Sequence, residues 1–184
     1  MVDLALLQSV SYIAGALGVC VAAIYYIINL KETALNRRVA LTNSILVPMN
    51  MTEEGNKRFV ELMSMEWTDF NDFQSKYDST VNQNNFAKRV TVWNTFDALG
   101  YEYRKGVLDA ETVYGILNMS AVNMWLKFKP VIDEYRKTDY GRDMYVNFEY
   151  LAGEMARMKA KRDASWKGSP SYIKLGEYDK AFKE

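Results

Sequence analysis

The sequence predicts an all-α protein in which an N-terminal transmembrane helix continues into a single multi-helix domain, and three observations lead there. From Leu4 to Leu30, LALLQSVSYIAGALGVCVAAIYYIINL, no Asp, Glu, Lys or Arg interrupts 27 consecutive residues. Beyond that run, apolar residues recur at three- and four-residue spacing in one segment after another, the period of a helix with one buried face. No segment alternates with the period of two that a half-buried strand requires, and no repeat of solenoid length is present.

As a helix the first run reaches roughly 40 Å at about 1.5 Å per residue, enough to cross a hydrocarbon core of about 30 Å with some tilt. Lys31, Arg37 and Arg38 follow it with the single acid Glu32, whereas only Met1, Val2 and Asp3 precede it. That basic bias directs the C-terminal domain to the cytoplasm and leaves the N-terminus outside the cell membrane. A cleaved signal peptide is the rival reading, but no basic segment precedes the run, and cutting after Ala22 or Ala23 would leave IYYIINL at the new terminus. A lipoprotein signal fits less well, since Cys20 follows Val19 where a small residue is wanted. Ala14, Gly18 and Ala22 fall four apart, a small-residue stripe that either admits a second membrane helix or simply faces lipid.

The remaining chain has the length of one compact domain. We divide it into an anchor over 1–30, a helical extension over 31–48 that Pro48 ends, a helical domain over 49–164 and a tail over 165–184 able to form a short helix. Asn50 or Thr52 caps the next helix, with Glu53 and Glu54 in its first turn and Phe59, Met63 and Trp67 as its buried stripe. EWTDFNDFQSKY forms a short aromatic-faced helix carrying Trp67, Phe70, Phe73 and Tyr77. After the Asn-rich junction VNQNN comes the central helix, with Val90, Trp93, Phe96, Gly100 and Tyr103 along one face and Gly106 as its cap. Glycine inside a helix costs about 1 kcal/mol relative to alanine, so Gly100 marks a close crossing by a neighbour. Asp109 caps DAETVYGIL, which turns Val113, Ile116 and Leu117 inward. The helix from Ser120 carries Val122, Trp125, Phe128, Ile132 and Tyr135, and Pro130 bends or interrupts it. The last strong helix starts near Asp139 or Asp143 and buries Tyr145, Phe148, Leu151, Ala152, Met155 and Met158.

Lys+Arg and Asp+Glu are equal at 23, so no global positive field draws the chain to nucleic acid, and a nucleic-acid partner is not expected. Histidine is absent, which excludes Ser-His-Asp and Cys-His triads, imidazole-ligated zinc and the Glu-x-x-His di-iron pair. Cys20, the single cysteine, lies in the apolar run, so the helical domain has no disulfide and suits a reducing compartment. None of the ten glycines opens a helix as part of a phosphate loop, and no cofactor is expected. Glu66, Asp69 and Asp72, three apart, form either weak oxygen ligands for a divalent cation or a solvated acidic face; no EF-hand loop is present. Asp97, inside the aromatic central helix, is the one acid placed to be a functional group with a raised pKa or the acceptor of a structural hydrogen bond. Glu149 and Glu154 are five apart and so fall on different stripes. The abundant aromatics, and Met63, Met65, Met119, Met124, Met144, Met155 and Met158, read as core at helical spacing rather than as a binding groove. Arg157, Lys159, Lys161, Arg162 and Lys167 make a basic segment that either meets anionic headgroups or stays in solvent.

Taken together, SYIAGALGVCVAAIYYIINL, EWTDFNDFQSKY, LGYEYRKGVLDAETVYGIL, MWLKFKPVIDEYR and FEYLAGEM resemble a family of uncharacterised archaeal and bacterial membrane proteins with one span and a cytoplasmic helical domain. The resemblance implies that topology and the all-α class, and it brings no catalytic motif. The expectation is therefore a membrane-anchored binding module, an adaptor or accessory subunit whose partners are the lipid bilayer and other membrane subunits or a second copy. The alternative is a membrane-bound enzyme or ligand sensor with an aromatic-lined pocket.

Overall fold

The computed structural model describes residues 4–50, 52–138 and 141–166. Those residues form seven helices and no strand: α1 Leu4–Asn50, α2 Glu53–Met63, α3 Phe70–Tyr77, α4 Gln83–Arg104, α5 Ala110–Leu117, α6 Ser120–Arg136 and α7 Val146–Arg162. Tertiary contacts divide the chain into two units, Met1–Leu41 and Thr42–Glu184. The predicted tail helix, with Lys167, lies outside the described residues.

In the first unit, Leu4–Arg37 is long and apolar enough to cross a membrane, and none of its most apolar window is buried. Its polar side chains satisfy themselves within the helix: Ser9 Oγ donates to the Ala5 carbonyl and Ser11 Oγ to that of Leu7, both at 2.9 Å. Such back-bonding is what an apolar surrounding demands of a hydroxyl. α1 ends at Asn50, two residues past the stop expected at Pro48. Proline's fixed φ is close to helical and only one backbone bond is lost, so the final turn still winds.

In the second unit, the helix starts are set by local caps. Thr52 Oγ1 accepts the Gly55 N–H at 3.0 Å, Asn82 Oδ1 the Asn85 N–H at 3.0 Å, and Asp109 Oδ1 the Thr112 N–H at 2.9 Å. Gly106, at φ +68°, closes α4: its N–H reaches the Tyr103 carbonyl and the Val107 N–H that of Glu102, both at 3.0 Å. Two boundaries in this unit, and the interruption allowed for at Pro130, differ from the sequence reading. α2 stops at Met63, so Trp67 sits on the connection to α3 rather than on a helical stripe. α6 is continuous through Pro130. α7 begins only at Val146, because residues 141–145 turn and Tyr145 takes the left-handed conformation at φ 60°.

α4 and α7 make the most extensive pairing, with α6 also against α7. Aromatic rings fill the space between them: Phe96 stacks on Phe148 at 4.8 Å, and Trp125 meets Phe148 edge-on at 5.2 Å. Trp93 joins Phe128 at 5.1 Å and Tyr145 at 5.3 Å. These rings form core, each large one removing about 150–250 Å² from water, as such side chains typically do. Glycine at 100 is required by this crossing, since a Cβ there would fall on the Asn147 carbonyl.

Several turn and cap carboxylates sit below the usual range. Hydrogen bonds do this at Asp72 (from Lys76), Asp78 (from the Thr80 N–H), Asp109 (from the Thr112 hydroxyl) and Asp163 (from the Ser165 hydroxyl). A carboxyl whose folded pKa is depressed stabilises the fold above its unfolded value and loses that contribution as pH falls through the folded value. Acid titration of the full chain in detergent is therefore expected to hold its helical circular dichroism down to about pH 4 and lose it progressively below. A signal unchanged well below that point would mean that these caps carry no stability.

Candidate functional site

The acids singled out in the sequence are placed where helices need them. Asp69 is the N-cap of α3, its Oδ1 accepting the Asp72 N–H at 2.9 Å. Asp72 Oδ2 in turn accepts the Thr68 N–H at 2.9 Å and Lys76 Nζ at 2.8 Å. Glu66 lies on the preceding connection, where its backbone carbonyl accepts the Tyr77 hydroxyl at 3.3 Å. The three carboxylates consequently do not form one helical stripe, and among the described residues no group of three or more Cys, Asp or Glu is arranged to hold a metal ion.

Asp97 caps a helix other than its own. Its Oδ1 accepts the Asn147 and Phe148 N–H groups, each at 2.9 Å, and its Oδ2 accepts Asn147 Nδ2 at 3.2 Å. Those two amides are the second and third of α7, the donors an N-cap side chain ordinarily takes. Tyr145, in the N-cap position, offers no side-chain hydrogen bond, so the cap reaches over from α4. Arg104 Nη1 completes the arrangement by donating to Asn147 Oδ1 at 3.0 Å.

Three residues of the basic segment form ion pairs on the surface of the helical domain. Arg157 pairs with Glu154, Lys159 with Asp163 at 3.0 Å, and Arg162 with Glu111 while its guanidinium lies 4.2 Å from the Tyr114 ring centre. In the apolar helix α1, Ala14, Gly18 and Ala22 are exposed, and nothing lies within 4 Å of a Cβ built at Gly18.

Two features were not read from the sequence. One is an open depression of about 590 Å³ lined by Met65, Glu66, Trp67, Thr68, Lys76, Leu126 and Lys127. Lys127 Nζ donates to the Met65 carbonyl at 2.7 Å and lies 5.1 Å from the Trp67 ring centre. Burial holds this ammonium below the usual lysine range, with the Glu66 carboxylate opposing the shift.

The other is Arg89, fully buried on α4. Nη1 donates to the Tyr77 carbonyl and to Asn85 Oδ1, both at 3.1 Å, and the guanidinium carbon lies 4.7 Å from the Phe73 ring centre and 5.2 Å from that of Trp93. Burial pulls its pKa below the usual guanidinium range, while Tyr135, Tyr145 and Asp78 work the other way. A sequence signal for it did exist: counting back by four from Trp93 along the buried face gives Arg89 and then Asn85, also buried, rather than Val90 and Phe86.

Fold and site define a class: a compact all-α unit whose acids and bases are mostly engaged in capping and pairing, preceded by a long apolar helix. The model of the DUF4760 family, described as a domain of unknown function, matches residues 13–155, and the chain belongs to that family. No match was found among curated proteins or solved structures.

Proposed function

We propose that the chain is a single-span protein of a bacterial or archaeal cell membrane that works by binding, as an adaptor or accessory subunit of a membrane protein complex. In this reading the N-terminus lies outside and the helical domain in the cytoplasm, following the basic residues after the span. The carrying observation is the unburied apolar surface of Leu4–Arg37, which at about 1.5 Å per residue exceeds a bilayer core of about 30 Å and needs lipid or protein to cover it. The family match supports retention of that helix, since it begins at residue 13, inside α1. Cleavage after Ala22 or Ala23 would cut through the matched segment.

The test is to extract the native protein in mild detergent, measure the particle mass and identify what travels with it by mass spectrometry. Stoichiometric membrane subunits are the expected result; a lone monomer would remove the adaptor reading. Replacing Ala14, Gly18 and Ala22 with Leu is expected to dissolve such an assembly, because the small-residue face no longer admits a neighbouring helix. Survival of the assembly would place its contacts elsewhere. Protease protection in sealed vesicles of known orientation tests the topology.

The open depression beside Trp67 and Lys127 favours a second reading, a membrane-bound ligand sensor, and a small molecule retained through purification would support it.

A further inference from the structure

The end of α4 and the first turns of α7 expose tyrosine rings and cations that the packing of the domain does not use. Tyr101 is 49% exposed, Tyr150 37% and Val146 40%. Arg104 ends α4 and Lys105 caps it, both exposed. The Arg104 guanidinium lies 5.1 Å from the Tyr150 ring centre, and its Nη1 donates to Asn147 Oδ1 at 3.0 Å. The Lys105 ammonium lies 5.5 Å from the Tyr101 ring centre. Among the described residues, both cations are held by rings or an amide oxygen and neither by a carboxylate.

Nearby acids are engaged elsewhere or face away. Asp97 accepts the first-turn amides of α7, and Glu154 pairs with Arg157. Glu102 projects about 100° around α4 from Tyr101. Along α7 the exposed face continues from Tyr150 to Lys161, about three turns on. Tyrosine rings are amphipathic and settle at the level of lipid headgroups, and each Lys or Arg near an anionic leaflet adds an attraction that salt screens. Cations already paired with carboxylates would gain little there; Arg104 and Lys105 keep their charge uncompensated.

We propose that Tyr101, Arg104, Lys105 and Tyr150 dock the helical domain onto anionic lipid headgroups. The inference rests on the membrane reading above, because a contact this small needs the high effective concentration that an anchor through α1 supplies.

The test uses the full chain reconstituted in vesicles of phosphatidylcholine, alone or mixed with phosphatidylglycerol, with a headgroup nitroxide lipid as quencher. Cys20→Ser removes the one cysteine, so that a fluorophore can be placed at Ala98→Cys, exposed one turn before Tyr101. The control label is at Lys57→Cys, exposed on α2, which the Lys88–Glu61 ion pair at 2.7 Å holds beside the start of α4. Quenching at Ala98→Cys is expected to be stronger in the anionic mixture, with the excess lost in high salt, and quenching at Lys57→Cys is expected not to change. Arg104→Gln with Lys105→Gln should weaken docking roughly 25-fold, about fivefold per cation, whereas Arg104→Lys with Lys105→Arg should preserve it. Equal quenching at Ala98→Cys in both lipids overturns the proposal and leaves the surface to an acidic protein partner; an excess that survives the paired Gln substitutions overturns it too. Should the Gln pair fail to fold, Lys105→Glu, a change at an exposed side chain, is expected to abolish the excess, and persistence of the excess counts against docking. Flotation is read alongside: a chain that floats with neither kind of vesicle removes the membrane reading itself and this inference with it.

Discussion

Gly100→Ala is expected to destabilise the helical domain by about 3 kcal/mol, read as a shift of the denaturant midpoint of the full chain in detergent. The added methyl would fall on the Asn147 carbonyl, an immobile backbone atom of the opposing helix rather than the end of a flexible side chain. α4 and α7 would have to separate, loosening the Phe96–Phe148 stack and stretching the bonds from Asp97. Gly115→Ala is the matched control: a methyl added there on α5 meets nothing within 4 Å, so the variant should instead gain about 0.5–1 kcal/mol from helix propensity. Equal effects at both glycines would show that the crossing is looser than these distances require.

Asp97→Ala should cost a comparable amount, about 3 kcal/mol, by removing a charged acceptor from two amides of the first turn of α7 and from the Asn147 side chain. Asp97→Asn keeps one acceptor oxygen and is expected to lose about half as much. Amide hydrogen exchange gives the local readout, since protection at Asn147 and Phe148 should fall first in the alanine variant. The pair also separates a cap from a functional acid. A group acting by proton transfer would lose its role on conversion to Asn while leaving the fold as stable as before; the geometry predicts graded loss of stability instead.

What could be read from the sequence follows the reach of the interactions involved. Thr52 and Asp109 were legible as caps because a side-chain acceptor and the amide it serves lie three residues apart. The inward residues of α5, α6 and α7 were legible because burial repeats with the helical period. Gly100 was legible for a different reason: a glycine that weakens its own helix implies something gained in packing. The start of α7 was misplaced by the same local logic. Asp139 and Asp143 are good capping types, but Asp139 lies outside the described residues, Asp143 sits in the turn before the helix, and the acceptor comes from Asp97, fifty residues earlier.

Sequence alone therefore determined the all-α class, the apolar helix at the N-terminus and most helix boundaries, since propensity, period and capping act among near neighbours in the chain. Tertiary structure alone decided which carboxylate caps α7, where Glu66, Asp69 and Asp72 fall relative to one another, and that Arg89 is sealed among aromatic rings. A residue's chemistry is written at its own position, but its burial and partners depend on how α3, α4, α6 and α7 settle against one another. That arrangement is fixed by the summed packing of residues far apart in the chain.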